Sequence, residues 1–170
     1  MKKIAVVFAF MAIGLFSYDA YSQSRYQGEA SAGIAFGTGT FSESRIIGET
    51  VHGLRFNENF FAGLGLGTHY YLGNNNSDSG MVMPLFFDIR GYYPINTTLT
   101  PFASFDIGYG IGLWGIENSG IYFAPSIGLN VEMNWVDSMN FGLSFQSQNF
   151  SSNGISIALN AIVFKAGIVF

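Results

Sequence analysis

Cysteine is missing from this 170-residue chain. That excludes disulfides, thiol nucleophiles and thiolate-held metals. Charge is scarce as well: 11% of the residues are charged, against about 25% in an ordinary soluble domain. Long apolar runs are lacking although 49% of the residues are hydrophobic. The one extended run, Ile4 to Phe16, is shorter than the roughly 20 residues a spanning helix needs. Lys2 and Lys3 precede it, and Ala20-Tyr21-Ser22 supplies a small-x-small exit. A basic start, a short apolar centre and such an exit define a secretory signal, predicted over residues 1–22. Residues 23–170 then form a single domain, with five basic and ten acidic residues. An acidic balance opposes nucleic-acid binding, which favours basic surfaces. Proline is limited to 4 residues, whereas there are 22 glycines and 17% aromatics. That mix suits many short strands joined by turns.

Turn-rich clusters at Thr38–Ser44, Asn57–Asn59, Leu72–Gly80, Pro94–Thr98, Trp114–Ser119, Asn134–Ser138 and Phe150–Gly154 divide the domain into eight segments. Their lengths fit the roughly 9–11 residues of a transmembrane strand. Within them the period is two. Met81, Met83, Leu85, Phe87 and Ile89 share one face, opposite Val82, Pro84, Phe86, Asp88 and Arg90. Phe105, Ile107, Tyr109 and Ile111 likewise lie opposite Ser104, Asp106, Gly108 and Gly110. The in-strand charges Glu29, Glu49, Arg55, Asp88, Arg90, Asp106, Glu132 and Lys165 all fall opposite the large apolar residues. Pairing across the short turns sets Arg55 beside Phe61, Tyr92 beside Thr100 and Glu132 beside Asn140, and so joins like faces into two continuous surfaces.

A soluble barrel would turn the apolar face inward. Its outer surface would then be made of glycine, serine and a few charges, and its interior would hold more large side chains than eight strands can enclose. The reverse arrangement meets both constraints, and closure satisfies the backbone as a bilayer requires. The fold expected is therefore all-β: an eight-stranded antiparallel up-and-down transmembrane β-barrel in a bacterial outer membrane. Outward Tyr26, Phe56, Phe60, Tyr93, Phe141 and Phe170 near the short-turn ends suit an interfacial aromatic girdle; outward Phe36 and Tyr70 lie towards the other rim. With the N-terminus in the periplasm, the connections at 38–44, 72–80, 114–119 and 150–154 face outward from the cell. They are short for a receptor or adhesin surface. Parity also places His52 on the lipid side, where a histidine is out of keeping.

The stretches ETVHGLRFNENFFAGLGLG (49–67), MPLFFDIRGYY (83–93), PFASFDIGYGIG (101–112) and AGIVF (166–170) resemble the small outer-membrane β-barrels of the OmpX and OmpA-transmembrane-domain type. The resemblance implies insertion by the outer-membrane assembly machinery, with Phe170 as part of the insertion signal. OmpA-like members often carry a periplasmic peptidoglycan-binding domain; with the sequence ending at Phe170, none is expected here. Outer-membrane lipid is the expected surrounding, and a monomer is the default for a barrel without free edges.

The candidate chemistry is sparse. Gly110-Ile111-Gly112-Leu113-Trp114-Gly115 matches GxGxxG, but a dinucleotide site needs a helix to follow, and these glycines continue an alternating strand. The lumen charge network (Glu29, Glu49, Arg55, Asp88, Arg90, Asp106, Glu132, Lys165) reads as buried ion pairs packed beside Phe61, Phe86, Tyr92, Phe102 and Tyr122. A narrow ion path is the alternative. Phe150-Ser151-Ser152-Asn153-Gly154-Ile155 faintly resembles the signature of lipid A deacylases, which places a histidine base two residues before the serine; here that position is Phe150. No catalytic residue, cofactor or metal site is expected, His69 having no visible ligand cluster around it. The protein is expected to be non-enzymatic, with a structural or surface-interaction role.

Overall fold

A computed structural model describes residues 24–39, 43–73, 79–116, 120–133, 136–152 and 155–170, with side chains except at 151, 152, 155 and 156. The predicted export signal lies outside the described residues, as do Asn153 and Gly154. Eight strands follow in order: β1 (Arg25–Thr38), β2 (Arg45–Arg55), β3 (Phe60–Tyr71), β4 (Gly80–Tyr92), β5 (Leu99–Trp114), β6 (Gly120–Glu132), β7 (Ser138–Ser152) and β8 (Ile155–Val169). Each pairs antiparallel with its neighbours, and β1 pairs with β8 to close the barrel. Phe170 extends that seam by exchanging backbone hydrogen bonds with Gly28 in both directions, at 2.7 and 2.9 Å.

Local chemistry sets the turns. In the β2–β3 turn Asn57 Oδ1 accepts the Asn59 amide at 2.8 Å while Phe56 N–H donates to the Phe60 carbonyl. In the β4–β5 turn Asn96 Oδ1 accepts the amides of Thr98 and Leu99, an Asx-type closure that stands in for a backbone turn. At the other end of the barrel, Gly39, Gly73 and Gly115 begin the connections after β1, β3 and β5 with φ of 94°, 62° and 67°, a region side chains disfavour.

Register differs from expectation at two hairpins. Tyr92 faces Phe102 rather than Thr100, and Glu132 faces Ser138 rather than Asn140. Each shift is two residues, so every side chain keeps its face. In the β4–β5 hairpin the Asn96 closure carries the turn one residue further along the chain than a symmetric loop about Asn96 would. The strands β7 and β8 also run closer together than the turn-rich cluster at 150–154 suggested, to Ser152 and from Ile155. A register shift between Met81 and Val82 pairs Met81 with Trp114 and Val82 with Gly112. This bulge turns Trp114 outward to stack on Tyr70, with centroids 6.5 Å apart and planes 10° apart.

Every strand presents a large apolar residue to the outside: Ile34, Ile46, Leu64, Leu85, Ile107, Ile127, Leu143 and Phe164 are all at least 40% exposed. An apolar surface running right round a molecule has no place in water; it is the lipid-facing band of a membrane barrel. Inside, Val51, Phe61, Phe86, Tyr92, Phe102, Tyr122 and Ala124 form one buried cluster and Ala35, Ile47, Ala161 and Val163 a second. Glycines make room for the rings: a Cβ on Gly65 would lie 2.2 Å from Phe86, and one on Gly128 2.5 Å from Phe102. The GxGxxG match forms part of this packing. Gly110 and Gly112 belong to β5, and the amide end of Gln148 occupies the space beside Gly110.

Candidate functional site in the lumen

Inward parity brings charge into a space only eight strands wide, so the ionised groups must find one another. They do so in two groups. In the first, Arg90 of β4 donates through Nη1 to Glu29 Oε2 of β1 and through Nη2 to Asp88 Oδ2. Its guanidinium also lies 5.1 Å from the Phe102 ring centroid and 5.6 Å from that of Phe61. Asn140 of β7 donates to the same Glu29 oxygen at 2.7 Å, and Asn130 donates to Asn140 Oδ1 at 2.8 Å and to Ser138 Oγ at 2.6 Å. All of these residues are buried.

The second group centres on Glu49 of β2. Lys165 of β8 donates to its Oε2 at 2.9 Å, and His69 Nε2 donates to its Oε1 at 2.9 Å. Tyr122 donates to Oε1 at 3.3 Å and accepts from Gln146 at 3.1 Å. Gln146 in turn accepts from Arg45 Nη2 at 3.0 Å. Lys165 also stands 3.7 Å from Asp106 Oδ2. The two groups meet where Asp88 and Asp106 face each other directly across β4 and β5. Buried polar side chains thus extend from Ser138 near the β6–β7 turn to Arg45 at the start of β2, hydrogen-bonded within each group, the two groups adjoining at Asp88 and Asp106.

Six of the eight charges expected in the lumen are held in these groups: Glu29, Glu49, Asp88, Arg90, Asp106 and Lys165. Arg55 and Glu132, expected in the same network, are not part of either group. Both are the last residues of their strands, where the lumen opens to the rim. Arg55 folds over the mouth, donating to the carbonyls of Asn57 and Glu58 and lying 4.3 Å from the Tyr92 ring centroid; Glu132 is exposed. Sequence reasoning missed Arg45, which is fully buried and 5.1 Å from the centroid of the Tyr71 ring. It follows directly on the turn-rich segment 38–44, so it escaped a count of in-strand charges. Its parity with Ile47 and Glu49 was the available signal. His69 serves as a hydrogen-bond donor to Glu49, packed edge-on to Tyr122.

His52 does face outward, and it brings its partners with it. Thr50 Oγ1 donates to the Glu29 carbonyl at 3.0 Å and stands 2.9 Å from His52 Nε2. Tyr26 Oη lies 2.6 Å from His52 Nδ1. Because the Thr50 proton is committed to a carbonyl, Nε2–H donates to Thr50; a neutral imidazole then accepts from Tyr26 at Nδ1. The ring lies between Tyr26 and Phe170, with centroids 6.2 and 6.3 Å away. The cluster thus satisfies the polar atoms of a histidine on an apolar surface.

Of the deacylase-like segment, Ser151 and Ser152 are seen as the backbone of β7, and Asn153 lies outside the described residues. Phe150 packs edge-on against Tyr71.

No family model and no curated protein matches the sequence. The fold, however, matches solved outer-membrane barrels over most of its length. The chain is similar to Neisserial surface protein A, with a TM-score of 0.65, 7% identity and coverage of 85% of this chain and 95% of that one. It is similar to the N-terminal β-barrel domain of Pseudomonas aeruginosa OprF, with a TM-score of 0.51, 12% identity and coverage of 87% and 100%. It is also similar to the outer membrane protein AlkL, with a TM-score of 0.50, 10% identity and coverage of 91% and 93%. At such identities the likeness is one of fold: the chain has the closed eight-stranded architecture of small outer-membrane barrels.

Proposed function

We propose that this chain is a non-enzymatic, monomeric barrel of the bacterial outer membrane with a structural or surface-interaction role. The observation that carries the reading is the lumen: it is filled across its width by ion pairs and aromatic rings, while every strand turns large apolar side chains outward. Such an interior is a packed core, and an eight-stranded barrel has little room for anything else. In this reading the N- and C-terminal ends of the barrel face the periplasm, outer-membrane lipid is the principal partner, and Phe170, on the seam strand, serves as part of the signal read by the assembly machinery. That one of the similar barrels is named a surface protein supports a role at the cell surface.

The test has two steps. Protein from washed outer membranes, loaded boiled and unboiled, should show two mobilities on a gel; a soluble periplasmic protein with a single mobility would overturn the reading. Refolded protein in a planar bilayer should then be electrically silent. The second reading, a narrow pore for ions or small solutes, rests on the two adjoining groups of polar side chains in the lumen, and discrete conductance steps would favour it. Release of fatty acid from lipid A or phospholipid would instead reveal an enzyme.

A further inference from the structure

Residues 23–170 carry five basic side chains. Arg45 and Arg90 are buried in the lumen, and Lys165 is engaged there with Glu49. The other two, Arg25 and Arg55, stand directly opposite each other where β1 begins and β2 ends. A cross-strand pair of like charges is unfavourable unless an opposite charge joins it. Among the described residues no carboxylate does so, since neither arginine takes part in an ion pair. Glu58, in the adjoining turn, meets Arg55 through its backbone carbonyl, and Glu132 and Asp137 flank the β6–β7 turn instead. Arg55 is the fixed half of the pair: its guanidinium lies over the Tyr92 ring, held by hydrogen bonds from Nε and Nη2. Arg25 is exposed.

On the lipid-facing side of the same two strands, Tyr26 and Leu54 pair at the next position inward from the arginines, and His52 follows, its ring between those of Tyr26 and Phe170. His52 precedes Arg55 by three positions, roughly 10 Å of strand and about 7–8 Å of depth at the tilt of a membrane barrel. The polar layer of one leaflet is roughly 5–8 Å deep. The arginine pair and the Tyr26–His52 cluster therefore bracket a headgroup region, with cations at its water edge and amphipathic rings at its hydrocarbon edge. We infer that this corner of the rim binds one anionic glycerophospholipid, its phosphate between Arg25 and Arg55 and its glycerol and upper chains packed on Tyr26, Leu54 and His52. The guanidinium fork suits such a phosphate because it meets two oxygens at once. Charge complementarity selects the lipid class. Two cations gathered on one phosphate leave a positive charge, which repels a headgroup ammonium and tolerates a glycerol. The site deepens the proposed function, on which it rests, by giving the surrounding lipid a chemical class.

The experiment uses the full chain refolded in detergent micelles and titrated with phosphatidylglycerol or phosphatidylcholine of identical chains, bound lipid being counted by native mass spectrometry. One phosphatidylglycerol per chain should be retained, about tenfold more tightly than phosphatidylcholine, and the preference should shrink as salt rises. Arg25→Gln, at an exposed position, should lose most of the preference, and adding Arg55→Gln should abolish it. Excess glycerol phosphate should not displace the lipid, because it lacks the chains. Boiled and unboiled gel mobilities of the same samples report the closed barrel independently. Equal retention of the two lipids with the mobility shift intact would overturn the site and leave the barrel standing. A preference that survives in the double variant would overturn it too, by placing the lipid elsewhere, and displacement by glycerol phosphate would make this a site for a free anion. A single mobility in every sample would overturn the membrane barrel and the lipid site together.

Discussion

Replacing Arg90 with methionine tests whether the lumen network holds the barrel together. Methionine keeps an apolar stem between the Phe61 and Phe102 rings but deletes the guanidinium that bridges Glu29 and Asp88. Glu29 would retain the Asn140 amide. Asp88 would keep no partner, because its Oδ1 already lacks one. Removing one member of a buried ion pair costs about 3–5 kcal/mol, most of it from the charge left behind. Two charge-assisted hydrogen bonds at roughly 1.5–3 kcal/mol each lead to a similar figure. At about 4 kcal/mol the folding equilibrium shifts by roughly a thousandfold. Urea unfolding of the full chain in phospholipid vesicles, followed by tryptophan fluorescence and by gel mobility, reads this directly. The triple variant Arg90→Met, Glu29→Gln, Asp88→Asn should recover most of the loss, since well-packed neutral replacements of a buried pair are often tolerated. An Arg90→Met chain within about 1 kcal/mol of the parent would refute the reasoning, because buried charges left unpaired are expected to cost several times that.

Two further substitutions test the two surfaces of the barrel by the same unfolding assay. Gly65→Ala sets a methyl 2.2 Å from the buried Phe86 ring and should cost about 1–3 kcal/mol by overpacking, with Phe86→Leu restoring much of it; a neutral Gly65→Ala would mean that the ring is loosely held. Leu85→Arg places a charge mid-strand on the apolar face, where Leu85 is 53% exposed, and should cost roughly 2–4 kcal/mol in a bilayer. No loss there would show that this face meets water.

Much of the fold was legible because it depends on a local quantity. In a strand, the side chain's face is fixed by whether its number is odd or even, so Asp88 and Arg90 could be placed opposite Phe87 and Ile89 without knowing what lies across the barrel. The same property explains why the register errors at Tyr92 and Glu132 did no damage: a slip of two residues preserves parity. The bulge at Met81 and Val82 was not legible, since nothing in Leu113-Trp114 announces where the ladder skips a residue. Trp114 consequently joins the outer aromatic surface at a position that alternation alone would have turned inward.

The site was less legible than the fold, for a reason built into barrels. Parity says that a side chain enters the lumen, but the partner it meets there depends on the stagger of the strands around the wall. Arg90 finds Glu29, 61 residues away, and Lys165 finds Glu49, 116 residues away; no spacing in the sequence encodes either. Depth matters as much as direction, and it separates Arg55 and Glu132, which point inward at the mouth, from the six charges that are enclosed. His52 shows the converse. Parity placed it correctly on the lipid face and left its environment unexplained, because its partners lie partly on the next strand. Thr50, two residues before it on the same face, is a local signal; Tyr26, on β1, is not. A polar residue on an apolar barrel surface is thus an exception to alternation only until its neighbours are counted. Here they form a chain from Tyr26 to the Glu29 backbone that presents lipid with rings and methyls, and leaves neither imidazole nitrogen without a partner.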